Sequence, residues 1–409
     1  MKDEEKIYDI CIVGAGFSGL VLAIKLARAG LLVCLVELNR VVGRRILSTG
    51  NGRCNFTNSR MGSDYYYSES SLDFIGDNHE SLRAFLREIG VIDKDLDGYY
   101  YPFTNQAKTV RDSLESEVNS LGVSILLDNR VTDISKGDSF TVTTNRESIK
   151  SRFVCVASGG LSAATLGSSK IGYKMAQKFK MHVTKLAPSL VGVLSKDICL
   201  KELAGVRAVG NVTYGDHSCE GEIQFNKDGI SGYPVMCISR FIGFDELDKK
   251  LSEIKLDFTP YMTEEELNLE IKNRFSRNPK ATVEASLCGL CNEKILFIII
   301  SYSRIYNDTV VEKLDDEDIA NLVYNFKYFS INVTGTKGFD SSQVTAGGVS
   351  LEDIDTSTME SKNCKDLFFT GEVLDVDGIC GGYNLTWAYT SADTAASEII
   401  KRYKTDVKS

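Results

Sequence analysis

Ile7-Tyr8-Asp9-Ile10-Cys11-Ile12-Val13-Gly14-Ala15-Gly16-Phe17-Ser18-Gly19 is the stretch on which the reading of this chain turns. Its first seven residues form a short run with three β-formers, bounded by a glycine cluster, which predicts a buried first strand. Leu20, Ala23, Ile24 and Ala27 then recur at helical spacing, and Gly30 stops the helix. A second apolar run, residues 31–36, ends in Glu37, 18 residues beyond Gly19. The order is strand, G-x-G-x-x-G, helix, strand, acid. Gly14 allows the tight turn, Gly16 lets backbone come close to a pyrophosphate, and Gly19 lets the helix pack on the strand. The free amides and dipole of the helix N-terminus favour phosphate charge. Glu37 is placed to accept hydrogen bonds from an adenosine ribose. A lone G-x-G-x-x-G would suit a merely structural turn; this full context predicts a dinucleotide site. The acid favours a free 2′-hydroxyl, so FAD or NAD is expected rather than NADP.

Further along, residues 131–134, 140–144 and 153–156 read as three short strands separated by turn residues around Gly137 and Asn145. They predict a meander that returns to a parallel sheet and ends in Ala157-Ser158-Gly159-Gly160. A second glycine-rich segment, from Gly371 through Gly382 to Asn384, precedes a helical pattern of Leu385, Ala388, Ala392 and Ala395. Amides at that helix start can meet the electron-rich edge of a flavin. A tight strand-to-helix turn explains the same glycines, and both readings stay open on the residues alone.

The bulk composition narrows the field. The 409 residues are 43% hydrophobic and 25% charged, as in an ordinary globular protein of two or three domains. Lys and Arg total 47 against 56 Asp and Glu, a net charge of −9, which disfavours a nucleic-acid binder driven by phosphate neutralisation. The apolar run of residues 295–300 is six long, far short of the roughly 20 that a membrane span needs. The mixed charges of residues 1–6 do not read as an export signal. Eleven scattered cysteines are then expected to be reduced thiols in a cytoplasmic protein. Three histidines are too few for a His-rich metal site, and no metal is expected.

Residues 43–58 (GRRILSTGNGRCNFTN) resemble the signature segment of the BaiN-like NAD(P)/FAD-dependent oxidoreductases, which include the aminoacetone-oxidase group. Residues 157–176, 342–351 (SQVTAGGVSL) and 371–388 (GEVLDVDGICGGYNLTWA) agree with the same family. The resemblance implies an α/β fold of the two-dinucleotide-binding-domain flavoprotein type: a Rossmann-like domain holding noncovalent FAD, with a large insertion. It implies that Gly14, Ala15, Gly16 and Ser18 contact the diphosphate, with Gly19 packing behind them. It further implies that Glu37 holds the ribose and that Arg45, Asn51, Arg53, Cys54 and Asn55 line the cleft. By the same resemblance Val131 would meet the adenine, Glu372 would bind the ribityl chain, and Gly371, Gly382, Asn384 and Leu385 would lie at the flavin end. One departure falls in residues 225–234, FNKDGISGYP, where relatives commonly carry a threonine in an F-T-x-x-G-I-S-G-P pattern; there substrate preference is expected to differ.

The insertion itself reads in two parts. Residues 190–260 are strand-like, with Ile254, Leu256 and Phe258 alternating with polar neighbours. Residues 261–335 are helical: Thr263 and Glu266 form a capping-box pattern before Leu267, Ile271 and Phe275. The expected organisation is a discontinuous FAD domain, 1–189 with 336–409, an inserted β domain and a small helical domain. Cys288-Gly289-Leu290-Cys291 lacks a second C-x-x-C or a neighbouring histidine and is expected to be a pair of packed helix thiols. A thiol pair of Cys54 and Cys380 is disfavoured by their separation. Asp375, Asp377 and Tyr383 are candidates for proton transfer, but the pattern assigns no catalytic residue. The tyrosine runs 65–67 and 99–101 suit a flat apolar pocket or an exposed surface equally well.

The expected activity is NAD(P)H-driven reduction of an organic small molecule through FAD, with a conjugated C=C as the candidate acceptor. An oxygen-dependent amine oxidase of the aminoacetone type is the first alternative. An RNA-modifying flavoprotein and a non-catalytic flavin binder follow.

Overall fold

Ile10, Cys11 and Ile12 are fully buried in the strand Ile7–Val13, which has parallel neighbours on both edges, Val33–Val36 and Ser148–Val156. Its second half, residues 10–13, is buried at every position, as in a strand covered on both faces, and there the residues run apolar without alternation. The computed structural model describes residues 6–76 and 78–407; the charged residues 1–5, expected not to form an export signal, lie outside them. The parallel sheet runs in the order Leu367–Phe369, Ser148–Val156, Ile7–Val13, Val33–Val36, Ser124–Leu126. Two short antiparallel strands, Ile354–Asp355 and Glu360–Ser361, extend one edge.

The meander forms, with one difference. Val131–Lys136 and Phe140–Thr144 pair as expected, but the third strand is the long Ser148–Val156. Its residues 148–151 pair antiparallel with the meander, and residues 153–156 lie in the parallel sheet. One continuous strand thereby fixes the meander against the first strand.

Nine of the 12 residues of the helix Phe17–Arg28 are buried, so it is covered nearly all round. The sheet takes one side and the C-terminal helix Tyr383–Val407 another, tied by Lys25 Nζ to Asp393 Oδ1 at 2.7 Å. Each fully buried Leu or Ile here contributes about 1.5–3 kcal/mol. The Rossmann-like α/β architecture expected from the sequence is thus present.

The chain divides into two units, residues 1–187 with 343–409 and residues 188–342. The second contains a closed barrel whose strands follow the order Val193–Ser195, Gly229–Gly232, His217–Asn226, Arg207–Tyr214, Glu253–Asp257, Phe329–Thr336. The division of this insertion into a β part and a helical part is corrected. Helical residues Leu267, Ile271, Leu322 and Phe326 share one apolar core with barrel residues Val212, Ile254, Leu256 and Ile331. The strand that closes the barrel, Phe329–Thr336, belongs to the stretch assigned to the helical part. A second correction is the helix Tyr233–Asp248 inside the stretch read as strands. Its Gly-Tyr-Pro start resembles a turn, yet proline is tolerated in a first helical turn, because its missing N–H has no partner there anyway.

The capping box at Thr263 and Glu266 forms at the start of Glu264–Arg277. Cys288 and Cys291, expected in packed helices, instead occupy the turn between Val283–Leu287 and Glu293–Tyr302, with Cys288 exposed. Gly289, at φ +87°, breaks the helix there. No described helix is long and apolar enough to cross a membrane.

Candidate functional site

The glycine loop after the first strand is a tight fit on two sides and open on the third. Gly14 has φ +107°, and a Cβ there would lie 2.5 Å from the Ala157 carbonyl oxygen. A Cβ on Gly19 would lie 2.0 Å from the Gly14 carbonyl oxygen. At Gly16 a Cβ would meet nothing within 4 Å. This open position caps the helix Phe17–Arg28 with no side-chain cap and no acid in the first turn. A helix start left uncapped, with room in front of it, is a cradle for phosphate oxygens.

Ala15, expected at the diphosphate, donates its N–H to Glu37 Oε2 at 2.8 Å. Glu37 is 8% exposed, and its Oε1 accepts from the Asn39 backbone N–H (2.8 Å) and Nδ2 (2.7 Å). The acid therefore ties the loop to the end of the second strand. It lines a cleft together with Gly14, Asn129, Val131, Ser158 and Ser169. Glu37 and Val131, expected at ribose and adenine, are thus brought to the same cleft.

Segments 43–58 and 371–388 interlock, although more than 300 residues separate them. Arg45 Nη2 donates to Glu372 Oε2 at 2.7 Å, both side chains being about one-fifth exposed. Glu372 Oε1 accepts from Thr345 N–H at 2.9 Å, and Thr345 Oγ1 accepts from Leu161 N–H at 2.8 Å. A Cβ on Gly159 would lie 2.5 Å from Arg45 Nη1, and one on Gly160 2.8 Å from Glu372 Oε1. Residues 159–160 are therefore side-chain-free where they pass this pair. Thr345, which lies in the segment 342–351 but was given no role there, stands at the junction; nothing about a threonine in a short strand signals that contact.

Thr386 Oγ1 donates to Thr57 Oγ1 at 2.8 Å, and both are buried. Asn58 Nδ2 donates to the Gly381 carbonyl at 3.4 Å, and a Cβ on Gly382 would lie 2.7 Å from Thr57. Asn384 clamps its own turn, its Oδ1 accepting from Gly378 N–H at 2.8 Å and its Nδ2 donating to the Gly378 carbonyl at 2.9 Å. Leu385 is half-buried one residue further on. Gly371, at φ +78°, has its N–H bonded to Ser391 Oγ at 2.9 Å.

The cysteine and its neighbours divide. Cys54 is 0% exposed, and burial pushes its thiol up to about 12, with Thr49 pulling the other way. It is therefore an inert thiol at neutral pH. Asn55 Nδ2 donates to the Thr57 and Tyr100 carbonyls at 3.1 and 3.0 Å, which braces the loop. Asn51 and Arg53 are exposed, and Arg53 lies over the Tyr101 ring at 5.1 Å.

Both tyrosine runs border the turn 377–383. Tyr66–Tyr67 pairs antiparallel with Asp377–Gly378, and the Tyr66 hydroxyl donates to the Tyr383 carbonyl at 3.0 Å. Tyr65 stacks on Tyr383 with ring centroids 4.9 Å apart. A Cβ on Gly381 would lie 3.0 Å from a ring carbon of Tyr99. Burial, with Tyr383 beside it, pushes the Tyr66 hydroxyl far above the usual tyrosine range, so it stays protonated. Asp375 Oδ2 accepts from Glu69 N–H at 3.1 Å and Ser68 Oγ at 3.3 Å.

The donor set suits a flavin dinucleotide. An open helix start for the diphosphate and an acid at the second strand are in place. A side-chain-free turn passes a half-buried Arg–Glu pair, and the buried Ser18 Oγ has no partner.

The chain is similar to known proteins. The family model described as HI0933-like protein Rossmann domain matches residues 8–398. A 3-dehydro-bile acid delta(4,6)-reductase of Clostridium scindens is 32% identical over 408 residues, covering 96% of this chain and 99% of its own. A ribosomal RNA dihydrouridine synthase of Haemophilus influenzae is 30% identical over 413 residues, covering 96% of this chain and 98% of its own. Among solved structures, a 3-ketosteroid-delta4-(5alpha)-dehydrogenase from Rhodococcus jostii RHA1 aligns over 98% of both chains with a TM-score of 0.50 and 14% identity, a likeness of fold.

Proposed function

The chain belongs to the HI0933-like Rossmann family, and from that premise we propose that it is an FAD-dependent oxidoreductase. It takes a hydride from NAD(P)H and delivers it to a carbon–carbon double bond conjugated with a carbonyl on a small molecule. The observation that carries the reading is the interlock of segments 43–58 and 371–388 beside the glycine loop. FAD, when bound, supplies hydride transfer; the chain supplies its binding, orientation and electrostatic surroundings. The helix start at Gly16 balances the diphosphate charge. Glu37 fixes the ribose end of the cleft, while Arg45 and Glu372 set the position of the polyol chain. The half-buried Tyr65 and Tyr99 beside the turn 377–383 give a planar acceptor an aromatic edge.

The two relatives' names support the choice of acceptor. A delta(4,6)-reductase of a 3-dehydro-bile acid acts, by its name, on double bonds in line with a 3-oxo group. Dihydrouridine is uridine with the ring double bond next to a carbonyl saturated. Both names describe the same change on different molecules. A net charge of −9 favours the small molecule, since RNA binding draws most of its affinity from cationic contacts to phosphate. The second relative keeps uridine in RNA as the other reading.

The test is to reduce the flavin-loaded protein chemically without oxygen and then add single acceptors. Rapid reoxidation by a planar 4,6-dien-3-one, with product heavier by two hydrogens, supports the proposal. Reoxidation by a ribosomal RNA fragment alone moves the substrate to RNA. If oxidised enzyme is instead bleached by an amine and releases peroxide in air, the amine-oxidase reading replaces it.

A further inference from the structure

Tyr99, Tyr101 and Phe103 alternate along the strand Tyr99–Pro102 and just past its end, so all three point to one face of the sheet Thr57–Asn58, Tyr99–Pro102, Asp93–Leu96. The ladder continues to Phe103, whose N–H donates to the Ile92 carbonyl at 2.7 Å. Tyr99 and Tyr101 are half-buried, and Phe103 is 66% exposed. Lys94 stands directly across from Tyr101, hence on the same face, with Nζ 6.0 Å from the Phe103 ring centre. Arg53 arrives from a separate loop and sets its exposed guanidinium 5.1 Å from the Tyr101 ring centre.

The opposite face of this sheet is closed. Tyr100 is buried there under the Arg83 guanidinium, 4.0 Å from its ring centre, and Asp93 pairs with Arg83 and Arg87 at 2.7 and 2.6 Å. On the open face neither Arg53 nor Lys94 is ion-paired among the described residues. Two cations without a carboxylate, set among accessible rings in a chain of net charge −9, suit an anionic group attached to something flat.

The order along the face narrows the ligand. Its inner end meets the turn 377–383: a Cβ on Gly381 would lie 3.0 Å from a Tyr99 ring carbon, and Asn58, across from Tyr99, donates to the Gly381 carbonyl at 3.4 Å. Its outer end is Phe103, roughly 14 Å further on at the rise of an antiparallel strand. Both cations stand between these ends, beside Tyr101. An acidic acceptor with one ring system calls for a cation at one end. A ring at each end with the charge in the middle is the layout of a dinucleotide.

We propose that this face docks the nicotinamide dinucleotide that reduces the flavin. Its diphosphate lies between Arg53 and Lys94, its adenine on Phe103, and its nicotinamide at the Tyr99 end beside the turn. This rests on the NAD(P)H-driven reading proposed above. It gives the donor a place in a chain whose sequence carries a single G-x-G-x-x-G. The acceptor uses the Tyr99 end once the oxidised nucleotide has left.

The experiment mixes FAD-loaded wild type, Arg53→Gln, Lys94→Gln and Phe103→Ala with NADH or NADPH without oxygen. Flavin bleaching is followed by stopped flow over a range of nucleotide concentrations. Each variant is expected to raise the nucleotide dissociation constant by about fivefold, through loss of a phosphate contact or of a stacked base. The limiting rate of bleaching stays within about twofold, because the nicotinamide end is untouched. Lys94→Arg, which keeps the charge, retains wild-type affinity. Dissociation constants equal to wild type in Lys94→Gln and Phe103→Ala would overturn the proposal. So would an effect confined to the KM of an acidic acceptor or to RNA binding. If Arg53→Gln loses FAD, that side chain serves the first cofactor, and the other two variants decide. Wild-type flavin that neither nucleotide bleaches removes the electron-donor reading and this docking site with it.

Discussion

Gly14 and Gly16 belong to one motif, yet their surroundings predict opposite outcomes on substitution. Gly14→Ala places a Cβ 2.5 Å from a backbone oxygen at φ +107°, where no flexible side chain can yield. We expect a loss of more than about 3 kcal/mol in urea unfolding. At Gly16→Ala the Cβ points into open space at φ −76°, so stability holds within about 0.5 kcal/mol while FAD affinity falls. Equal losses of stability would contradict the assignment of Gly16 to the ligand side. The thiols divide in the same manner. Iodoacetamide at pH 8 should label exposed Cys288 and leave Cys54 unmodified in the native protein, because burial pushes its thiol up to about 12. Labelling of Cys54 before unfolding would show that its loop opens. The glycines and Glu37 were legible in the sequence because their spacing is the mechanism. The contacts of Ala15 and Thr345 were not, because what they touch is set by chain that comes together only in the fold.

At the scale of elements, periodicity identified what was strongly periodic. The helix Glu264–Arg277 appears with its capping box because Leu267, Ile271 and Phe275 repeat on one face. The helix Tyr233–Asp248 was hidden by a start that imitates a turn, and the strand Ser148–Val156 by its change of partner midway. The sheet edge and the last helix are joined by charge. Arg402 Nη1 and Nη2 bind Glu360 Oε1 and Oε2 at 2.6 and 2.7 Å, and Nη1 reaches Asp366 Oδ1 at 3.2 Å. Burial alone would raise Glu360, but Arg402, with the Asp366 N–H, brings it below the usual carboxylate range. A carboxyl depressed in the folded state stabilises the fold above its unfolded value of about 4.3, and that contribution is lost as pH falls through the folded value. Arg402→Ala should therefore melt below wild type at pH 7, and the gap should narrow steadily below pH of about 4. A gap that stays constant with pH would assign Arg402 a packing role, over the Phe368 ring at 5.6 Å.

For the molecule as a whole, the dinucleotide-binding unit closes only when residues 343–409 return to it. The glycine loop and the turn 371–383 lie at opposite ends of the sequence and near one another in the fold. The sequence reading expected a discontinuous domain because residues near 190–335 read as an insertion after which the chain returns. The unity of the insertion was not legible: a barrel closed by a strand from beyond its helices leaves no mark in local pattern. As proposed, this site passes electrons from a nicotinamide to bound flavin. The most direct test is an anaerobic titration of the FAD-loaded protein with NADH and then NADPH, followed at the oxidised flavin band near ~450 nm. The account predicts bleaching that is stoichiometric with at least one of the two. A band unchanged by both, in protein whose flavin dithionite still reduces, would contradict it.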